Sequence, residues 1–130
     1  MARPKKENAD YFSHDADMRN DARILALRRK FGLNGYAVWC MLLEYLTRCD
    51  YFEFDYDDLN AELIAGDFNV DPNELDEIIN YLTDKLKLLT SENGKIYCFE
   101  HRKRLEPLLS KRKRDRSGVS DSENTQSKVK

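Results

Sequence analysis

Asp71-Pro72-Asn73-Glu74 opens the stretch that decides the fold, DPNELDEIINYLTDKLKLLTSENGKIYCF over residues 71–99. Asp71 offers a side-chain acceptor to the unpaired N–H groups of a helix start, Pro72 fits the first helical position, and Glu74 stands where a capping box places its carboxylate. Leu75, Ile78, Ile79, Leu82 and Leu86 then repeat at i, i+3, i+4, i+7 and i+11, which predicts a helix with one face on the core. Two β-like runs follow, Leu88 to Thr90 and Lys95 to Phe99, joined by Ser91-Glu92-Asn93-Gly94, and the Asn-Gly pair predicts a hairpin turn.

Upstream, Tyr51-Phe52-Glu53-Phe54 alternates as a short strand should, and Asp55 is a candidate cap for a helix from Asp57 to Ala65 that buries Leu59, Leu63 and Ile64 and ends near Gly66. Before it, Tyr36, Trp39, Leu42, Leu43 and Leu46 form one stripe of a helix from about Gly35 to Arg48, with Ala37, Val38, Cys40 and Met41 filling much of the other face. An earlier helix, capped by Asn20 or Asp21, carries Ile24, Leu27 and Phe31 at helical spacing and stops at Gly32. The order is two helices, a strand, two helices and a hairpin. The fold class this predicts is α+β, mainly α, with the sequence layout of a winged helix: the hairpin is the wing and the first strand joins it as a third. A four-helix bundle is the competing arrangement, and it leaves the Tyr51 to Phe54 run without a role.

The 130 residues allow one domain, expected over 10–104 after a polar leader at 1–9, with a basic, partly helical extension at 105–116 and a disordered polar tail at 117–130. Leu105, Leu108 and Leu109 fit one helical stripe in that extension, and Pro107 is expected in its first turn because an interior proline disrupts a helix. No apolar stretch reaches the roughly 20 residues of a spanning helix, and no signal-type apolar core follows Met1-Ala2-Arg3-Pro4-Lys5-Lys6, so a cytoplasmic protein without membrane contact is expected. Cys40, Cys49 and Cys98 are odd in number and have neither disulfide-framework nor zinc spacing.

Tyr11-Phe12-Ser13-His14-Asp15, Asp17, Asp21, Phe31-Gly32-Leu33, Gly35-Tyr36-Ala37-Val38-Trp39 and Leu42-Leu43-Glu44, in that order, resemble the Lin-type N-terminal domain of a phage and prophage family of uncharacterised proteins. The resemblance spans roughly Asp10 to Arg104. It implies a winged-helix domain of the kind that opens DnaD-like replication proteins, where it supports self-association and contact with replication partners such as a helicase or helicase loader. Those relatives commonly carry a further helical DNA-binding domain, for which the segment after Arg104 is too short.

Charge divides the chain. From His101 to Lys130 ten basic residues face four acidic ones, a net +6, which leaves −8 for the residues before His101. The predicted helix before the wing carries Glu74, Asp76 and Glu77, which phosphates repel, so base reading in a major groove is disfavoured. The expected nucleic-acid contact is the cluster Arg102, Lys103, Arg104, Lys111, Arg112, Lys113, Arg114 and Arg116, which can neutralise phosphates without reading sequence. The plain alternative is a solvated extension that keeps the protein soluble.

No GxSxG, P-loop, HExxH or paired Cys/His arrangement is present, so no catalysis and no cofactor are expected. His14 with Asp15 and Asp17, and Asp55, Asp57, Asp58 with Glu62, have metal-ligand chemistry but no ligand-loop spacing; capping and solvation explain them better. His101 reads as a surface residue. The aromatics Tyr36, Trp39, Tyr45, Tyr51, Phe52, Phe54 and Tyr56 have the chemistry to stack on bases but read as core by periodicity, with a protein interface as the next reading should Tyr51, Phe52 or Tyr56 be exposed. The function expected is that of a non-enzymatic, self-associating winged-helix protein taking part in DNA replication or its initiation. Alternatives are a protein-protein adaptor without DNA contact and a winged-helix transcription regulator.

Overall fold

The computed structural model describes residues 7–121, with side chains through Arg114. The leader residues 1–6 and the tail residues 122–130, Lys128 and Lys130 included, lie outside the described residues, as do the side chains of 115–121, Arg116 among them.

A 3-10 turn at Met18–Asn20 leads into α1, Ala22–Arg48, whose N-cap Asp21 accepts from the Arg23 N–H. The two helices expected here follow one another with the break at Gly32, the predicted stop, which takes φ 70°, ψ −155°, a conformation essentially confined to glycine. Past that corner Gly35 is buried, and a Cβ there would stand 2.8 Å from the Phe31 Cβ. Ile24 and Leu27 before the corner and Val38, Leu42 and Leu46 after it are all buried, so both halves feed one core.

Strand β1 is Glu53–Asp55, shorter than the expected run, because Tyr51 and Phe52 have positive φ in a 3-10 turn at Asp50–Phe52. Helix α2 is Asp58–Phe68, capped by Asp57 instead of Asp55: the Asp57 carboxylate accepts from the Asn60 N–H, while the Asp55 carbonyl accepts from the Asn60 side chain. It passes Gly66 and ends in a left-handed Asn69. Its inner face is Ile64, Ala65 and Phe68; Leu59 and Leu63, expected in the core, are exposed, since at about 100° per residue they fall on the other side of the helix from Phe68 and Ala65.

Helix α3, Pro72–Asn80, starts at the predicted Asp71 cap, which accepts from the Asn73 N–H. The capping box is not completed, because the Glu74 carboxylate accepts from Asn34 at 3.4 Å. A π turn at Tyr81–Lys85 carries Leu82 onto the core face set by Leu75, Ile78 and Ile79, and the Leu86 N–H closes it on the Tyr81 carbonyl.

Strand β2, Thr90–Glu92, lies two residues later than expected, leaving buried Leu88 and Leu89 as the approach to the hairpin. Asn93 and Gly94, φ 54° and 79°, make the two-residue turn to β3, Lys95–Tyr97. The sheet order is β1-β3-β2, antiparallel throughout, with Phe54 opposite Ile96 and Asp55 opposite Lys95. Lys95 Nζ closes that pair at 2.7 Å from the Asp55 carboxylate. The architecture is α+β, mainly α, with one small three-stranded sheet.

The chain does not continue as strand to Phe99. Helix α4 begins there and runs Phe99–Asp121, into the polar segment expected to lack structure, and Pro107 lies in its interior instead of its first turn. Tertiary contacts of the preceding two turns hold the helix in spite of the backbone bond proline removes.

Candidate nucleic-acid interface

Two kinds of cation occupy α4. His101, Leu105, Leu108 and Arg112 recur at i, i+4, i+7 and i+11 and turn towards the domain; none of the four is exposed. His101 is only 4% exposed, which corrects its reading as a surface residue. Its ring lies edge-on to Phe12, centroids 5.1 Å apart, and its Nε2 is 2.7 Å from the Thr47 hydroxyl. That hydroxyl donates its one proton to the Leu43 carbonyl at 2.7 Å, so Nε2–H of neutral His101 donates to Thr47. Burial, reinforced by the nearby Arg104 charge and opposed by the Leu43 carbonyl, pushes the His101 pKa down to about 4.

Arg102 and Arg112, both expected on DNA, are tied to the domain. Arg102 Nη2 donates to Glu53 at 2.8 Å, and its guanidinium lies 3.9 Å from the Tyr97 ring centroid, fastening α4 to both β1 and β3. Arg112 Nη1 donates to the Asn8 carbonyl at 2.6 Å, and Asn8 in turn donates to the Arg48 carbonyl. Arg23 bridges to Glu100 at 3.6 Å beside the first turn of α4. The signal for this anchoring was the leucine stripe itself: extended one step in each direction, it meets His101 and Arg112.

Lys103, Arg104, Lys111, Lys113 and Arg114 are exposed and make no ion pair among the described residues. At roughly 100° per residue, Lys103, Arg104, Lys111 and Arg114 fall within one arc of about 100°, with Pro107 between them and the anchoring residues opposite; Lys113 flanks the arc. Arg116 has no described side chain. Seven of the eight expected cations therefore divide into two anchors and five exposed groups, four of them in a single stripe.

The helix before the hairpin presents the opposite sign. Asp76 and Glu77 are exposed on α3 and Glu74 is half-buried. Asp76 accepts from the Tyr56 hydroxyl at 3.0 Å and from Asn80 at 3.2 Å; burial, with Asp76 beside it, pushes the Tyr56 pKa up.

Several of the residues weighed for metal binding serve the fold. His14 Nε2 lies 3.3 Å from the Tyr36 hydroxyl, Asp15 accepts from the Asp17 N–H, and Asp57 caps α2. Cys98 is buried, Cys40 and Cys49 half-buried, and burial raises all three thiol pKa values, that of Cys49 to about 11. Of the aromatic set, Tyr51 alone is exposed.

The family described as Lin1244/Lin1753-like, N-terminal, matches residues 11–99. The chain belongs to that family. The matched segment contains α1, the sheet and α3, and it stops at Phe99, where the cationic helix starts. No curated protein and no solved structure matches the chain. Among the described residues no helix is long and apolar enough to cross a membrane.

Proposed function

We infer that this chain is a winged-helix protein of phage or mobile-element type, related to DnaD-like replication proteins, that takes part in DNA replication or its initiation as a non-enzymatic binding factor. The helix pair α2–α3, the hairpin after it, and β1 as the third strand support the winged-helix reading. One observation carries the DNA contact: Lys103, Arg104, Lys111 and Arg114 share the outward face of a helix whose opposite face is fixed to the domain. A preorganised row of about four cations meets phosphates without reading bases, so binding is sequence-tolerant and steeply salt-dependent. The carboxylates of α3 argue against that helix entering a groove, and thus against a sequence-reading transcription regulator.

The test is fluorescence anisotropy with arbitrary duplex and single-stranded DNA. With about four phosphates neutralised, affinity should fall on the order of 100-fold between 50 and 200 mM salt. Removing residues 111–130 should abolish binding; equal binding by the truncated chain overturns the assignment. A second reading, a protein-protein contact, is favoured by the exposed Leu59 and Leu63 of α2.

A further inference from the structure

Helix α2 has apolar side chains on two opposite faces. Ile64, Ala65 and Phe68 are buried, whereas Leu59 and Leu63, one turn apart, are 65% and 61% exposed. Glu62, Gly66 and Asp67 complete their face, and every member of it is exposed. A Cβ at Gly66 would meet nothing within 4 Å, so the surface is open there to close approach by another chain. With Asp58 at the N-terminal end, three carboxylates border two leucines. Covering such a face takes a partner with cations at its edges and aliphatic carbon between them.

The α4 stripe has that chemistry. Lysine and arginine stems cover apolar surface while their charged heads reach outward, and Pro107 adds carbon at the centre. The lengths also agree: the eleven residues of α2 and the eleven steps from Lys103 to Arg114 each span about 16 Å. The stripe cannot serve its own α2, because His101, Arg102 and Arg112 hold the opposite side of α4 against its own domain.

We propose that the outward face of α2, centred on Leu59 and Leu63, docks the cationic stripe of α4 from a second copy of this chain. Each copy carries both halves, so the contact can close reciprocally about a two-fold axis. Exposed ion pairs are individually weak, so the association is weak and salt-sensitive. The proposal shares its four cations with the DNA reading, and DNA competes with the second copy for them.

Sedimentation equilibrium of the full chain without DNA tests it. Wild type should gain mass with concentration at low salt and approach the monomer at about 0.5 M salt, where the screening length falls to about 4 Å. Leu59→Ser with Leu63→Ser should weaken self-association at least tenfold while leaving DNA affinity within about twofold, which separates failure of this contact from failure of the DNA reading. A charge exchange gives the second measurement. Lys103, Lys111 and Arg114→Glu in one variant, and Asp58, Glu62 and Asp67→Lys in another, should each be monomeric alone and form a one-to-one complex when mixed. A wild type that stays monomeric at low salt, a leucine variant that associates like wild type, or a mixture that stays monomeric overturns the proposal.

Discussion

Helices α3 and α4 flank the same hairpin and are held by different physics. Four buried apolar side chains, Leu75, Ile78, Ile79 and Leu82, drive α3 and its π turn into the core, and its solvent face is acidic. Helix α4 is anchored through polar side chains, His101 to Thr47, Arg102 to Glu53 and Arg112 to the Asn8 carbonyl, and its solvent face is basic. The difference separates two jobs that charge composition merges: on α4, some cations build the joint and others are left to meet a partner.

The largest effect should come from the apolar side of that comparison. Leu75→Ala or Ile78→Ala removes a fully buried side chain and should cost about 2–5 kcal/mol in urea unfolding. A loss no larger than that from an exposed α4 residue would break the distinction.

The polar joint should show itself through pH. His101 titrates near 6.5 unfolded and about 4 folded, so between those values the unfolded chain binds the extra proton. Stability is full above pH 6.5 and declines as pH falls towards 4, by about 3 kcal/mol from this group. Comparing urea midpoints of wild type and His101→Gln across that window measures it; the variant should be less stable at pH 7 and lose less on acidification. Parallel pH profiles would remove His101 from the joint.

The smallest effect belongs to the cap. Asp71→Ala should cost about 1 kcal/mol, because the Asn73 N–H loses its acceptor at the start of α3. An unchanged midpoint would mean that Pro72 and the apolar face suffice to start the helix.

The same division explains what could be read from the sequence. Apolar periodicity and turn chemistry place α3, its Asp71 cap, the Asn93-Gly94 turn and the start of β3 at Lys95, because each depends on residues close in the chain. Helix α2 carries apolar residues on two sides, and local pattern does not say which side the core takes: Leu59 and Leu63 lie one turn apart, yet Ile64, Ala65 and Phe68 are the ones buried. The α4 joint escaped for a different reason. Its partners Phe12, Thr47, Glu53 and Asn8 lie far away in sequence; the leucine stripe points to His101 and Arg112, but nothing local marks Arg102 as different from Lys103. Charge clustering located the candidate interface; only the folded positions sort its anchors from its exposed stripe.

The most direct measurement takes Lys103, Arg104, Lys111 and Arg114→Ala together and follows both DNA affinity against salt and unfolding by urea. The stripe variant should lose about three to four units of the slope of log affinity against log salt while its stability stays within about 0.5 kcal/mol of wild type. An unchanged salt slope would contradict the account.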